Sequence, residues 1–311
     1  MENNYILGAG PAGLIAAYFF EDHKIIDKKP LGQLNLPFIP GPRLIQATDN
    51  MKALVKELFP DNQIHLEIAK IGFNINNKIE ESPTIEFRKN YALKTRGVEK
   101  SESSFLSEGM VEIPHIEIDT WGENSYKILF ERLLGIIKKR GQLIETTVKS
   151  INPFDKVIKF DNDIEGDYTH IISTLNLNLF KKLDIAAEDM PHDLTTLPKC
   201  FYQTEYQKDS WENHPSLFFD YVYSADTDWT RQTFFRDYIV YESVEPIKGD
   251  TIEGNKIINK FENLPIQIKE SLRIGTIDGI EMLGRFAEWD HQVKANEVLD
   301  KVIYWKDRYY G

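Results

Sequence analysis

The chain has 311 residues, a formal net charge of -12 and a single cysteine. The surplus of acidic groups repels polyanions, so nonspecific nucleic-acid binding is not expected. One cysteine excludes an intrachain disulfide and any multi-cysteine metal site, which is typical of a protein from a reducing compartment. The length exceeds a single typical core and predicts two domains, either of which can be discontinuous in sequence.

The first apolar segment indicates neither export nor membrane insertion. Residues 1–4 are acidic and polar, unlike the basic start of a secretory signal. The run Tyr5–Phe20 is apolar but contains three glycines and a proline, which favours a strand, a turn and a helix over a membrane span. We therefore expect a soluble, cytoplasmic protein without a membrane partner.

The segment from Asn4 to Asp27 predicts a dinucleotide-binding βαβ unit. Its glycines follow the pattern G-x-G-x-x-G, in which Gly8 permits a tight turn, Gly10 admits a pyrophosphate and Gly13 allows a helix to pack closely on a strand. The phosphates would then meet free N–H groups at the helix N-terminus. Asp27, nineteen positions after Gly8, stands where an acid accepts a hydrogen bond from an adenosine ribose. A glycine turn that binds no ligand is the alternative.

Three segments resemble the superfamily of FAD-dependent amine oxidases, protoporphyrinogen oxidase and UDP-galactopyranose mutase. They are the opening GAGPAGL, then DKKPLGQ and, near the C-terminus, GRFAEWDHQV, whose glycine-arginine turn returns to the flavin in that family. The resemblance implies an α/β fold with a Rossmann-type, GR2-like FAD-binding domain and a second, β-rich α+β substrate domain. It favours FAD over a nicotinamide cofactor, because a second helix N-terminus would add N–H donors around the pyrophosphate. The alternative is a surface turn before a terminal helix over Val293–Trp305.

The resemblance also implies a set of cofactor contacts. The helix after the second turn is expected to begin near Gln292 or Val293, and Val148 would lie on the adenine side. Ser173 and Thr174 would end a strand above the cofactor, or would instead cap a helix over Asn176–Leu183. The full set is Gly8, Ala9, Gly10, Pro11, Ala12, Gly13, Asp27, Lys28, Gln33, Arg43, Val148, Thr174, Gly284, Arg285, Gln292 and Val293.

Three residues are candidate catalytic groups by resemblance to the mutase branch. Arg43, in GPRLIQAT, stands where that branch has a histidine, and a fixed cation there would stabilise an anionic reduced flavin ring. Trp121, in TWG, matches a tryptophan beside the flavin. Arg231, in DWTRQTFFRDY, matches an arginine that faces the substrate and could bind a phosphate or carboxylate bidentately. Surface or stacking roles are the alternatives for both arginines, and Arg96 is a weaker second candidate.

The same resemblance predicts how the chain is divided. The FAD-binding domain would comprise residues 1–65, 141–185 and 265–311, and the substrate domain residues 66–140 and 186–264. Within the substrate domain, β-favouring or alternating residues predict strands of a sheet over the flavin, in Thr84–Leu93 and in Ser216–Glu245.

Other chemistry-bearing residues favour structural roles. Cys200 is expected to be a small buried hydrophobe, with a nucleophilic thiol as the alternative. The seven histidines show no metal-ligand spacing; His115 and His170 lie in strand-like segments, whereas His291 is a weak candidate for proton transfer. The best basic patch, Lys138 to Arg140, predicts the solvated end of a helix.

Three functions are compatible with these patterns. The first is an FAD-dependent oxidoreductase that removes hydride from a C–N or C–H bond of a small molecule, as amine oxidases do, with an amino-acid-like substituent on a modified nucleotide as one conceivable substrate. The second is a flavin-dependent sugar isomerase similar to UDP-galactopyranose mutase, which would act on a nucleotide-sugar. The third is a flavin-binding protein without catalysis. No nucleophile elbow or ordered serine-histidine-acid set supports hydrolysis.

Overall fold

The structure covers most of the chain. The computed structural model describes residues 3–38, 40, 44–60, 62, 64–96, 112–119, 124–183, 194–205, 219–235, 238–268, 271–290 and 292–310. The α-helices in these ranges are α1 (Pro11–Phe19), α2 (Asp49–Leu58), α3 (Ile85–Arg96), α4 (Ser125–Lys139), α5 (Leu177–Phe180) and α6 (Ala295–Tyr310). Within the same ranges, no helix is long and apolar enough to cross a membrane.

A six-stranded sheet forms the centre of the first region. In spatial order its strands are β18 (Thr276–Ile277), β19 (Ile280–Met282), β11 (His170–Ser173), β1 (Asn4–Leu7), β2 (His23–Ile26) and β7 (Leu143–Ile144). All neighbouring pairs are parallel except β18 with β19. The outer strands come from the middle and the late part of the chain, so this sheet is discontinuous in sequence.

The local sequence explains the β1–α1–β2 start. All residues of β1 are buried, and β1 pairs with β2 in parallel from Asn4 opposite His23 to Leu7 opposite Ile26. Parallel strands need a crossover connection, and α1 supplies it. Pro11 occupies the start of α1, where a missing N–H leaves no hydrogen bond unmade.

Helices α1, α2, α4 and α6 pack on one face of this sheet around a common hydrophobic core. In α4, Leu129, Leu133 and Ile137 are buried at four-residue spacing, which makes one apolar stripe along the helix. The predicted boundary at residue 141 assigns α4 to the substrate part, yet its side chains share the core of α1. The predicted solvated helix end at Lys138 to Arg140 is confirmed as the last turn and C-cap of α4.

A three-stranded antiparallel meander covers the other face of the sheet. Its strands are β8 (Val148–Asn152), β9 (Val157–Phe160) and β10 (Glu165–Asp167). Tyr5 and Leu7 of β1 are buried against this meander, whereas Ile6 faces the helices. Alternate residues of β1 therefore contribute to two separate cores, as the pleat of a strand requires.

The second region is built on a ten-stranded sheet. In spatial order its strands are β16 (Thr251–Ile252), β17 (Asn255–Ile268), β12 (Thr196–Glu205), β15 (Tyr238–Ser243), β14 (Arg231–Phe234), β13 (Tyr221–Ser224), β4 (Ile64–Ile75), β6 (Glu112–Ile118) and β3 (Ile45–Gln46), with β5 (Lys78–Glu80) paired to β4. Strands β13, β14 and β15 confirm the sheet predicted within Ser216–Glu245. Cys200 of β12 is buried, as expected.

The strand predicted over Thr84–Leu93 is wrong, because this segment lies in and just before α3. Thr84 caps the helix, its Oγ1 accepting a hydrogen bond from the Phe87 N–H at 3.0 Å. Phe87 and Tyr91 are buried at i and i+4, a helical spacing that the local alternation of apolar and polar residues conceals. The helix predicted over Asn176–Leu183 is also shorter than expected and comprises only α5.

Four ionisable side chains connect the amino ends of the parallel strands. Asp22 Oδ1 lies 3.0 Å from His23 Nδ1, His23 Nε2 lies 2.9 Å from His170 Nδ1, and His170 Nε2 lies 3.3 Å from Glu281 Oε2. Burial lowers the pKa of His23, and the nearby Asp22 offsets this only in part. The predicted strand positions of His115 and His170 are confirmed in β6 and β11.

Candidate functional site

The first glycine turn lies at the carboxyl end of β1, and two of its positions admit only glycine. Gly8 has φ +96°, and a Cβ built on it would lie 2.7 Å from Thr174 Oγ1. A Cβ on Gly13 would lie 1.9 Å from the Gly8 carbonyl oxygen. Gly13 therefore allows α1 to pack directly on the turn, which is the role the spacing predicts.

Gly10, the second glycine of the motif, faces open space. A Cβ built on Gly10 would meet no atom of the described residues within 4 Å. Gly10 is the N-cap of α1, and no side chain caps the helix there. The first N–H groups of a helix have no partner within it, and the helix dipole favours negative charge at this end. Ala12 and its neighbours thus form a backbone cradle suited to a phosphate group.

Asp27 lies beside this cradle, just after β2. Its Oδ2 accepts a hydrogen bond from the Ala9 N–H at 2.6 Å, and its Oδ1 accepts one from the Lys29 N–H at 2.7 Å. The carboxylate is half-buried, whereas Lys28 is exposed. Each carboxylate oxygen has a second acceptor site, so the fixed side chain can still accept hydrogen bonds from a sugar hydroxyl.

The second predicted turn lies directly against the first. Gly284 follows β19 with φ +92°, and a Cβ on it would lie 2.7 Å from the Cβ of Ala12 in α1. Backbone hydrogen bonds link the two turns through β11, because Leu283 N–H donates to Ser173 O and Thr174 N–H donates to Leu7 O. Two segments more than 270 positions apart in sequence therefore meet at the N-terminus of α1.

The helix after the second turn begins later than predicted. Expected near Gln292 or Val293, α6 begins at Ala295, and residues 292–294 precede the helix. Two of the residues predicted to contact the cofactor form hydrogen bonds within the protein. Arg285 Nε donates to Val293 O at 3.3 Å, and the Gln292 side chain accepts from Arg273 at 3.2 Å.

The first turn of α6 contains an unpredicted polar group. The buried Oδ1 of Asn296 has no hydrogen-bond partner among the described residues. Val298, two positions later in the same helix, lies close to Gly284, since its side chain would be 4.0 Å from a Cβ built on that glycine. Asparagine in a helical first turn carries no motif, so the sequence offers no signal for this acceptor.

Thr174 supports the glycine turn from below. Its Oγ1 donates to the carbonyls of Leu7 and Gly8 at 2.8 and 3.0 Å. The alternative that Ser173 or Thr174 caps α5 is wrong, because Asn176 is the cap, its side chain accepting from Asn178 N–H at 2.9 Å. The hydroxyl proton of Thr174 is therefore used by the protein backbone.

Val148 is buried at the start of β8, in the same cluster as Ile26 at the end of β2. The N–H of Asp27 donates to Ile144 O at 3.2 Å, so the chain leading to Val148 passes beside the acid. Val148 thus follows a backbone contact of Asp27 by four positions, and its place on the adenine side of a cofactor stays a prediction.

Arg231, the predicted substrate contact, lies on β14 and is already paired. Its guanidinium forms an ion pair with Glu242 of β15, which also binds Lys199 Nζ at 2.9 Å. Its Cζ lies 5.7 Å from the ring centroid of Tyr223. Burial alone would lower the pKa of Arg231, but the carboxylate of Glu242 raises it above its usual range, so the charge is fixed. Lys199 and Glu242 were not predicted, since only strand pairing brings them to Arg231.

Several predicted residues lie outside the described part of the chain. They are Arg43, Trp121 and His291, whose roles stay predictions. The backbones of Gln33 and Arg96 are described, but their side chains are not. Among the described residues, no group of three or more histidine, cysteine, aspartate or glutamate side chains could hold a metal ion.

Comparison with known proteins identifies the fold. No family model and no curated protein sequence matches the chain. The structure is similar to reduced UDP-galactopyranose mutase, with a TM-score of 0.69, 11% identity, and 99% of this chain and 95% of that chain covered. It is similar to putrescine oxidase bound to putrescine, with a TM-score of 0.63, 8% identity and 99% of each chain covered. A fatty acid isomerase from P. acnes gives a TM-score of 0.64 at 11% identity, with 100% and 99% covered. The α/β fold class and the structural resemblance predicted from the sequence are confirmed.

Proposed function

We propose that the protein is an FAD-dependent oxidoreductase that removes a hydride equivalent from a C–N or C–H bond of a small molecule. The contact between Gly284 and Ala12 carries this proposal. It brings two turns to one helix N-terminus beside Asp27, with open space at Gly10. This arrangement fits a diphosphate flanked by an adenosine, and it supports FAD more directly than composition or charge does.

The chain offers distinct groups for the diphosphate and adenosine parts of the cofactor. The backbone of Gly10 to Gly13 would bind the pyrophosphate, and Asp27 would accept hydrogen bonds from the ribose. Val148 would contact the adenine, and the turn at Gly284 and Arg285 would close the site from the far side. When bound, FAD would supply the two-electron acceptor, and the protein would orient the substrate and exclude water.

Flavin content after substitution of Gly10 tests the cofactor assignment. In Gly10→Val the added side chain meets no described protein atom but occupies the space needed by a phosphate. We expect a folded protein that retains less than about a tenth of the wild-type flavin, measured by absorbance after heat release. The matched control is Gly135→Val, at an exposed position of α4 that also has no neighbour within 4 Å. Equal flavin content in the two variants would show that Gly10 does not contact the cofactor.

The reaction type can be tested on the flavin-loaded protein. Anaerobic mixing with amines and amino acids should bleach the flavin absorbance if the protein oxidises its substrate. A mutase-like isomerase is the second candidate, favoured by the TM-score of 0.69 to UDP-galactopyranose mutase. It would leave the oxidised flavin unchanged and would convert a UDP-sugar only after prior reduction. If neither amines nor amino acids bleach the flavin, and no UDP-sugar is converted after reduction, the result would support a flavin-binding protein without catalysis.

A further inference from the structure

The first half of strand β4 has one edge that no described strand covers. Residues Ile64–Lys70 pair with β6 on one side, whereas β13 pairs with β4 on the other side only from Ile71 onwards. Within this half, Leu66 and Ile68 are 63% and 53% exposed. An exposed apolar edge strand is a template for pairing with another chain, and proteins usually block such edges.

The backbone groups of alternate residues point to this edge. In an antiparallel ladder, successive residues of a strand direct their N–H and C=O groups to opposite sides. Lys70 directs its groups away from β6, because its N–H donates to Asp220 Oδ2 at 2.7 Å and its carbonyl accepts from the Asp220 N–H at 2.9 Å. Ile68, two positions earlier, points the same way. Its neighbour in β6, Pro114, agrees with this, since the Pro114 carbonyl accepts from the Ala47 N–H at 3.2 Å on the far side of β6.

The groups that point to the open edge therefore belong to Ile64, Leu66 and Ile68. Within the described part of the chain, no hydrogen bond outside the β4–β6 ladder involves the N–H or C=O of these three residues. The side chains of Ile64 and Leu66 also line a cavity of about 340 Å³, together with Lys56 and Phe59 at the end of α2. The edge thus offers both backbone hydrogen bonds and space for an additional apolar side chain.

The sequence of the edge is complementary to itself when a second copy runs antiparallel to it. With Leu66 opposite the partner's Leu66, Ile64 lies opposite the partner's Ile68, so one face carries only apolar pairs. On the other face, His65 lies opposite the partner's Glu67, whose carboxylate accepts a hydrogen bond from an imidazole N–H. A register centred on Glu67 would instead place two glutamates opposite each other, and like charges there are destabilising. The side chains therefore favour the register centred on Leu66.

We propose that the protein forms a twofold dimer in which β4 pairs antiparallel with β4 of a second copy. The N–H and C=O groups of Ile64, Leu66 and Ile68 bond between the two chains. The partner's Ile68, which lies opposite Ile64, enters the cavity beside α2. A twofold axis makes each contact twice, which suits a surface that complements itself. The inference goes beyond the proposed function and holds whether or not FAD binds.

Sedimentation velocity of the purified full chain tests the dimer, and charge variants test the strand. The wild-type chain should sediment as a dimer at micromolar concentration. L66K and L66E each place like charges opposite each other and should weaken dimerisation by at least about tenfold. An equal mixture of L66K and L66E should restore a dimer, because opposite charges then face each other. The matched control is L93K, which changes a leucine of α3 that is 54% exposed and should leave the dimer unchanged.

Single cysteines test the register. Directly opposed residues of a hydrogen-bonded antiparallel pair have Cα atoms about 5.5 Å apart, which is within reach of a disulfide. L66C should therefore form an intermolecular disulfide under mild oxidation. I68C should not, since the two copies of position 68 would lie roughly 13 Å apart along the strands. The native Cys200 is buried and should give little background.

Three results would overturn the proposal. A wild-type chain that stays monomeric at high micromolar concentration leaves the edge to an extended segment of another protein. A dimer that L66K and L66E do not weaken, or that their mixture does not restore, has its interface elsewhere. Cross-linking of I68C in preference to L66C contradicts the register on which the pairing depends.

Discussion

Replacing Gly284 by alanine perturbs the contact that joins the two glycine turns. At φ +92° a side chain at this position strains the backbone, which costs about 1–2 kcal/mol. The new methyl group would also lie 2.7 Å from the Cβ of Ala12, and overpacking of this kind costs about 1–3 kcal/mol. We expect Gly284→Ala to lower the free energy of unfolding by about 2–5 kcal/mol, measured from urea unfolding curves.

Two further variants separate strain from contact. Gly279 has φ +77° with no atom within 4 Å of a Cβ, so Gly279→Ala should show only the strain of about 1–2 kcal/mol. Adding Ala12→Gly to Gly284→Ala should restore about 1–3 kcal/mol, less the cost of about 0.5–1 kcal/mol for glycine in a helix. Equal losses in the two glycine variants, or no restoration by Ala12→Gly, would refute the contact between the turns.

Three other predictions concern stability and are measured in the same way. Thr84→Ala removes the cap that binds the Phe87 N–H and should cost about 0.5–2 kcal/mol, whereas Thr84→Ser should cost little. Lys94→Met removes an ammonium that donates to backbone carbonyls of the β13–β14 turn and should cost about 1.5–3 kcal/mol; a neutral result would mean that Lys94 does not anchor α3. Burial holds the pKa of His23 below its unfolded value of 6.5, so the unfolded chain binds more protons and stability falls as the pH drops below 6.5. His23→Gln should therefore flatten the change in urea midpoint between about pH 7 and pH 5, and an unchanged slope would contradict this assignment.

The β1–α1–β2 start was predictable because its constraints are local. Gly8, Gly13 and Asp27 act within one βαβ unit, so their spacing alone reports the turn, the close helix approach and the fixed acid. The late turn at Gly284 was recognisable from its resemblance to a family, but no local pattern could reveal that it touches Ala12.

The errors and omissions arise where distant pairing or helix capping decides the structure. Thr84 caps a helix in a segment whose apolar and polar residues alternate. Periodicity over so few residues does not distinguish a helix from a strand. Lys199 and Glu242 lie beside Arg231 only because β12, β15 and β14 are neighbours in the sheet. The number of residues between Arg231 and either Lys199 or Glu242 does not indicate that these side chains are close in space.

The order of the chain imposes an order on biosynthesis. The glycine turn leaves the ribosome more than 270 residues before Gly284 and the helix that follows it. Until they arrive, the edge of β11 lacks β19, and the N-terminus of α1 lacks the residues that pack against it. The contact between the two turns can therefore form only after Gly284 has been synthesised.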